Sequence, residues 1–587
     1  MESLALTEVD EKWLKEKNDV PVTSLRIGKN KGTGIKNTIK VRYDKKRAIK
    51  VSKEVYNKII EEVSKTMNNI HDVSRSVRYW KIILQFDLAY VISYLVDRYL
   101  ILKRIEKSNR NVKISAMDEE SYEISSGWKK LEEKVTTSDR LNLQFFSQVV
   151  EETRLYKERK KVVDDEAKSI QNISKKTRKW LKSLKSRIKD EIKVNNSEIK
   201  APVSVCDYGL PYGETKKLGK KMGKKVYYFP EYKMEVPNVK WKLRSHFESS
   251  TELSGLCKMV YKSLKWNLPK LCIEQYERAK NYVYKSVGDW PKVILQKQPQ
   301  SSPVSRVYIA ESVKRGAKLA TVQHGCSYGE LKCSMSEFSE KTMSDIFVTW
   351  GYSYEKKDVP LSPPNLSNIN LKDTNKKNIG VWVSKDYRFF RENDYPMRSE
   401  LMLNARTPKK HLKKCKKFAE NINSKSKDFL QFRPKPRYEN ERNGTKKIES
   451  KIPKISEIGF SNLEESFSEI ISKVELVIID HFPSTCFLEC IAAGVPTVVF
   501  GVPPTSRFRH EARAYVKELK KSGILVSDPI EAAETVNQLS LTESNITKWF
   551  HDEHKQNAIN EYENMYANNS SNYLNEWAEF LDRTSKH

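Results

Sequence analysis

Short, mostly apolar runs, each stopped by a polar or small residue, recur along the last two thirds of the chain. One series is Val203 to Cys206, Val226 to Phe229, Val293 to Gln296, Leu319 to Val322 and Asp345 to Trp350. A second is Ile379 to Val383, Phe429 to Phe432, Leu476 to Ile479, Thr497 to Phe500 and Ile524 to Val526. Continuous apolar runs without alternation suit strands buried on both faces of a parallel sheet. Between them, helical patterns span Pro303–Lys314, Arg398–Ile422, Leu463–Lys473, 529–539 and 551–567. Strand and helix in alternation predict α/β units. Residues 357–378, rich in Pro, Asn and Lys, read as a linker. The chain is therefore expected to be α/β, with two Rossmann-like domains facing across a cleft.

Val474 to Gly501 is the most legible of these units. The run Leu476–Ile479 ends at Asp480, the turn His481-Phe482-Pro483 follows, and Ser484 and Thr485 stand where a helix begins. Gly494 can close that helix and Pro496 prevents its continuation. Ligands of parallel sheets bind outside the carboxyl ends of the strands, and a helix N-terminus favours anions. Asp480, His481, Ser484 and Thr485 occupy that place, so the cluster reads as a phosphate site. The plainer alternative is that Ser484 and Thr485 only cap a helix.

The N-terminal third is different. Residues 1–70 are Lys-rich and predict a loosely packed lead-in with one helix near Glu54 to Met67. The most apolar stretch, Ile82 to Leu102, carries Gln85, Asp87, Asp97 and Arg98. A charge at the centre of a membrane-spanning helix costs roughly 2.5–3.5 kcal/mol, so this stretch predicts a buried helix of a soluble protein. Lys175 to Lys193 sets Trp180, Leu184 and Ile188 on one face among Lys and Arg. It reads first as an exposed helix, and secondarily as a membrane-surface helix. The expected boundaries are a helical, basic N-terminal extension packed on the first domain (1–195), the first Rossmann-like domain (196–356), the linker (357–378), the second Rossmann-like domain (379–545) and C-terminal helices (546–587).

Composition narrows the partners. Over 587 residues, 107 Lys+Arg against 76 Asp+Glu leave a net charge of +31, which favours anionic partners without choosing among them. The 28 Tyr and 11 Trp argue against a disordered basic tail. The cysteines form no CxxC, the N-terminus lacks the apolar core of a signal peptide, and a reduced cytoplasmic protein is the simplest reading. There is no GxGxxG after a strand and no GxxxxGK[ST], so dinucleotide and P-loop readings are weak. No carboxylate pair of DxD type sits at a strand end, so no metal ligands and no cofactor are expected.

Several stretches together resemble the transferases of bacterial surface-carbohydrate biosynthesis, a group related to capsule Kdo transferases and to CDP-glycerol glycerophosphotransferases. They are Arg78–Ile82 with Val96–Tyr99, Phe229–Glu235, Thr321–Glu330, the series Glu337, Asp345, Trp350 and Gly351, Ile479–Phe500, and the tail from Arg509 through residue 539. Coverage runs from about Arg78 to about Tyr566 and is patchy over 100–200 and 385–455. Three positions depart from the pattern: Cys326 and Tyr352 replace Gly and Trp, and Lys435 stands where the capsule enzymes carry His in an Arg-Pro-His-Pro element.

The resemblance implies a GT-B-like fold, with the first domain holding the acceptor and the second the nucleotide donor. It implies an inverting glycosyltransferase whose donor is a CMP-linked acidic sugar, with CDP-polyol phosphotransfer as the alternative. The acceptor is a carbohydrate or a lipid-linked glycan, reached from the cytoplasmic side and in part through an anionic membrane surface.

Such a transfer needs a base, cations around the departing phosphate, and an aligned cleft. His324, or else Glu330, is the candidate base, with Gln323 and Gly325 flanking it. Arg433, Lys435, His481, Ser484 and Thr485 are the phosphate candidates; Glu489 can bind ribose hydroxyls, and Asp480 is a further cleft candidate. His324 can equally be a phosphate ligand or a satisfied core histidine. The competing class is a basic nucleic-acid-binding protein or membrane scaffold without catalysis. That class accounts for the charge but not for His324 or the 480–489 cluster, and nucleic acid is not the favoured partner.

Overall fold

The computed structural model describes residues 2–6, 22–27, 38–41, 45–108, 112–160, 202–206, 212–229, 234–248, 252–297, 302–332, 334–367, 369, 378–384, 408–434 and 452–586. Lys435 and Lys175–Lys193 lie outside them.

The N-terminal region differs from a purely helical extension. Strands β1 (Glu2–Ala5), β2 (Val22–Ile27) and β3 (Thr38–Val41) precede helices α1 (Lys45–His71) and α2 (Val77–Glu106). Then come β4 (Val112–Met117), α3 (Asp139–Val149) and β5 (Tyr156–Lys160). The five strands form one parallel sheet in the order β3-β2-β1-β4-β5.

Helix α2 is the apolar stretch of the sequence, and its polar residues explain why it lies inside a protein. Asp87 is paired with Arg306, and Asp97 with Arg98, whose guanidinium also donates to Asn142 Oδ1 at 2.6 Å. All four charged groups are buried, and buried charges persist only when paired. The helix breaks at Gln85 (φ 39°), whose carbonyl accepts a bond from Ser339 Oγ at 3.2 Å. Among the described residues no helix is long and apolar enough to cross a membrane.

Two further parallel sheets follow. The first contains β6 (Val203–Cys206), β7 (Val226–Phe229), β8 (Val293–Gln296), β9 (Lys318–Val322), β10 (Ile346–Thr349) and β11 (Asp358–Pro360), in the order β11-β10-β9-β8-β6-β7. Helices α4 (Pro303–Lys314) and α5 (Met335–Met343) belong to this unit. The expected linker therefore begins as an edge strand, β11, pairing with β10. The other sheet holds β12 (Gly380–Val383), β13 (Leu430–Arg433), β14 (Gly459–Phe460), β15 (Leu476–Ile479) and β16 (Thr497–Val499) in the order β14-β13-β12-β15-β16, with helices α6 (Pro408–Asn421) and α7 (Thr485–Ala492). Ile524–Val526 contributes only a parallel bridge, Leu525 to Val499. Every residue of β6, β8, β12 and β15 is buried, and each large apolar side chain so placed is worth roughly 1.5–3 kcal/mol.

The C-terminal helices bind the units together. In α8 (Glu553–Tyr566), the Tyr562 ring packs against Phe482 and Phe487 of the second unit, and its hydroxyl donates to Glu330 of the first. Helix α9 (Tyr573–Lys586) returns to the first sheet, where Trp577, Phe580 and Leu581 join Val203, Val205 and Val293 in one core. The result is two α/β units, each a parallel sheet with helices, joined by the C-terminal helices and accompanied by an N-terminal region of long helices and a third parallel sheet.

Candidate functional site

In the second sheet the chain order reverses between β12 and β15, the point at which ligands of open α/β sheets bind. Ser384 follows β12, and Asp480 and His481 follow β15. The Ser384 hydroxyl donates to Asp480 Oδ2, and His481 Nδ1 lies 3.0 Å from Asp480 Oδ1. Burial disfavours the Asp480 carboxylate, yet His411 and His481 hold its pKa well below the usual range. Both oxygens of Asp480 are thus committed within the protein, and it anchors the strand end rather than acting as a base. The His481 ring remains partly exposed.

Ser484 occupies the N-cap of α7 but makes no capping bond. Its Oγ is buried and has no hydrogen-bond partner among the described residues. A buried hydroxyl left unpaired costs about 1–3 kcal/mol, so the plain capping role does not account for it. Thr485 is also no cap: its Oγ1 accepts the backbone N–H of Cys326 at 3.2 Å. A Cβ on Gly325 would lie 3.0 Å from that same oxygen, so glycine permits the approach. The loop after β9 and the start of α7 are therefore in direct contact across the cleft.

His324 sits in that loop with its side chain 26% exposed. Its Nδ1 lies 2.8 Å from Tyr328 Oη and 3.3 Å from Glu340 Oε1, and Glu340 is fully buried. Burial raises the Glu340 pKa, with the His324 hydrogen bond opposing. Tyr328 Oη also lies 3.4 Å from Nε2, and a partly exposed imidazole oriented by a buried carboxylate is chemically able to accept a proton. Neither Tyr328 nor Glu340 stood out in the sequence; only the spacing of Glu340 after His324, folded through α5, brings them together.

Other expectations change on inspection. Gln323 is buried, donating to the Gly325 carbonyl (2.9 Å) and accepting from Trp350 N–H (3.0 Å), so it braces the loop. Glu330 is 1% exposed. Its oxygens accept from Tyr562 Oη and from Ser327 N–H (2.6 Å), leaving no open face for an acceptor. Burial raises its pKa to about 7 against those bonds.

Arg433 is also engaged: it donates to Asn462 O (2.7 Å), Glu465 O (2.6 Å) and Ser461 Oγ (3.3 Å), clamping the loop beside α7. Glu489, one turn into α7, is pushed up to about 7 by burial, with Lys297 opposing. Lys297 follows β8 of the facing sheet, its ammonium 6.0 Å from the Trp350 ring centre. Burial lowers its pKa, and Glu489 works the other way. That cross-cleft pair escaped sequence reading because Lys297 is one lysine among many.

A second set of donors converges behind Asp480: His411 and Cys415 from α6, both buried. The sequence offered no metal set, since Asp480 lies far along the chain from the other two.

Comparison with known proteins places this geometry. No curated protein matches the chain. Among solved structures, WaaG, a glycosyltransferase involved in lipopolysaccharide biosynthesis, is 11% identical with a TM-score of 0.30, covering 65% of this chain and 99% of its own. The UDP-GlcNAc 2-epimerase of Neisseria meningitidis bound to UDP-GlcNAc is 11% identical with a TM-score of 0.32, covering 65% and 92%. The trehalose 6-phosphate synthase of Burkholderia multivorans is 8% identical with a TM-score of 0.35, covering 66% and 98%. Likenesses this distant carry no argument about activity. The match that decides is to the LIC12162 family transferases, spanning residues 4–581, and the chain belongs to that family.

Proposed function

We propose that this transferase is a glycosyltransferase that moves a sugar from a nucleotide-activated donor to a carbohydrate or lipid-linked acceptor. A CMP-linked acidic sugar is the favoured donor; a CDP-polyol is the alternative and would use the same site. The observation that carries the reading is the meeting of two strand-end loops, Cys326 N–H on Thr485 Oγ1, beside the unpaired buried Ser484 hydroxyl.

In this reading Ser484 and Thr485, with the amides of the first turn of α7, receive the phosphates, helped by His481 and Lys435. Glu489 takes ribose hydroxyls. Arg433 contributes by holding the loop beside α7. His324 takes the proton of the acceptor hydroxyl, oriented by Glu340 and Tyr328. Inversion follows if the acceptor attacks opposite the leaving phosphate. No divalent ion bridges the donor phosphates, so desalted enzyme should turn over equally with and without added magnesium. The work takes place at the cytoplasmic face, where the basic surface meets an anionic membrane.

Calorimetry with CMP, CDP and UDP tests the donor side. Binding of one of them is expected, and Ser484→Ala should weaken it about tenfold, the worth of a hydrogen bond to a charged group. On the acceptor side, His324→Ala should cut turnover about 100-fold with an unchanged melting temperature, and His324→Gln should not restore it. No affinity for any of the three nucleotides, together with near-normal turnover of His324→Ala, would overturn the reading.

A further inference from the structure

Helix α6 carries His411 and Cys415 one turn apart, and both face the end of β15. His411 Nε2 lies 3.4 Å from Asp480 Oδ1. Cys415 Sγ lies 3.5 Å from His411 Nε2 and 3.5 Å from Asp480 Oδ2. His411 is 7% exposed, and Cys415 and Asp480 are fully buried. Among the described residues this is the one group of three such donors within reach of a single ion.

A charged N–H···O bond between imidazole and carboxylate closes to about 2.7–2.9 Å. The His411–Asp480 gap of 3.4 Å is well beyond that. Zinc bonds of about 2.0–2.1 Å to nitrogen, about 2.0–2.2 Å to oxygen and about 2.3 Å to sulfur, spread tetrahedrally, set the donor atoms about 3.3–3.6 Å apart. The His411 Nε2–Asp480 Oδ1 and Cys415 Sγ–His411 Nε2 separations, 3.4 and 3.5 Å, fall in that window, and Cys415 Sγ lies 3.5 Å from the other carboxylate oxygen, Oδ2. One ligand atom from each of the three residues lies within 4.8 Å of the others, within reach of a single ion.

We propose that His411, Cys415 and Asp480 form a binding site for a divalent ion of the zinc class. One nitrogen, one thiolate and one carboxylate suit zinc better than magnesium or calcium, which prefer oxygen. A thiolate and a carboxylate together balance a dication, which makes the buried set electrically neutral. Ligand carboxylates are held by hydrogen bonds from neighbours; here the Ser384 hydroxyl and the His481 ring hold Asp480. The Trp382, Phe418 and Phe500 rings of the same core keep the surroundings dry.

The site ties α6 to the strand end from which His481 and Ser484 hang. It acts by position and not by bridging donor phosphates, so it stands whether or not the chain binds a nucleotide.

The test uses the full chain, purified without chelators or added nucleotide, and elemental analysis of its metal content. About one zinc per chain is expected in the native protein and in Cys257→Ser, and little in His411→Ala or Cys415→Ser. Because those variants can fail to fold, the native protein is also exchanged into cobalt(II) and its absorption recorded. A thiolate-to-cobalt charge-transfer band is expected. Native protein that carries no zinc and shows no such band, or a Cys415→Ser protein that keeps both metal and band, would overturn the proposal.

Discussion

A single carboxyl, Glu330, shows how burial turns one side chain into a pH-dependent part of the fold. Its pKa moves from 4.5 to about 7 on folding, so the folded state holds the proton more tightly than the unfolded one. The stability it contributes is therefore fully present below pH 4.5 and is lost as pH rises through about 7. A shift of that size is worth about 3 kcal/mol. Glu330→Gln cannot ionise, so its melting temperature relative to the native protein should climb from about pH 5 to about pH 8. A difference that stays flat over that range would mean Glu330 is charged in the fold. Glu489 and Glu563, also raised to about 7, leave part of the native slope in the variant. At this scale the sequence placed Ser484, Thr485 and His324 near strand ends correctly. It could not tell that Glu330 and Gln323 serve as braces, because their partners, Tyr562 and Trp350, come from other elements.

Among elements, α8 is the wedge between the two units, and its fit depends on Gly351. That glycine has φ +139°, and a Cβ there would lie 2.5 Å from the Asn564 carbonyl and 2.8 Å from that of Met565. The Asn568 N–H bond to the Trp350 carbonyl, 2.9 Å, closes the same contact. Gly351→Ala should lower stability by at least about 1 kcal/mol in thermal unfolding, since both backbone and space oppose a side chain. Gly213→Ala, in a helix with no atom of the described residues within 4 Å, should cost nothing. Equal melting temperatures for the two variants would show that α8 yields easily. The buried strands were legible to within a residue or two because their apolar runs are unbroken. The strands of the N-terminal sheet were not: Glu2–Ala5, Val22–Ile27 and Thr38–Val41 intersperse Ser, Thr, Glu, Arg and Lys among their apolar residues, so no unbroken apolar run marks them.

For the whole molecule, the net charge of +31 sets long-range behaviour. Binding to anionic vesicles at low salt is expected. It should fade as the screening length shortens from about 10 Å at 0.1 M to about 3 Å at 1 M. Co-sedimentation with acidic vesicles no greater than with neutral ones at low salt would make the charge a solvated surface only. Hydrophobic periodicity determined the α/β class, the two units and the buried character of α2, since these depend on neighbours close in the chain. The meeting of Gly325 with Thr485, the orientation of His324 by Glu340, and the convergence of His411 and Cys415 on Asp480 were decided only by tertiary structure. Each joins side chains whose spacing in sequence says nothing about their distance, and only the packing of sheets across the cleft and of α6 on β15 brings them within a few ångströms.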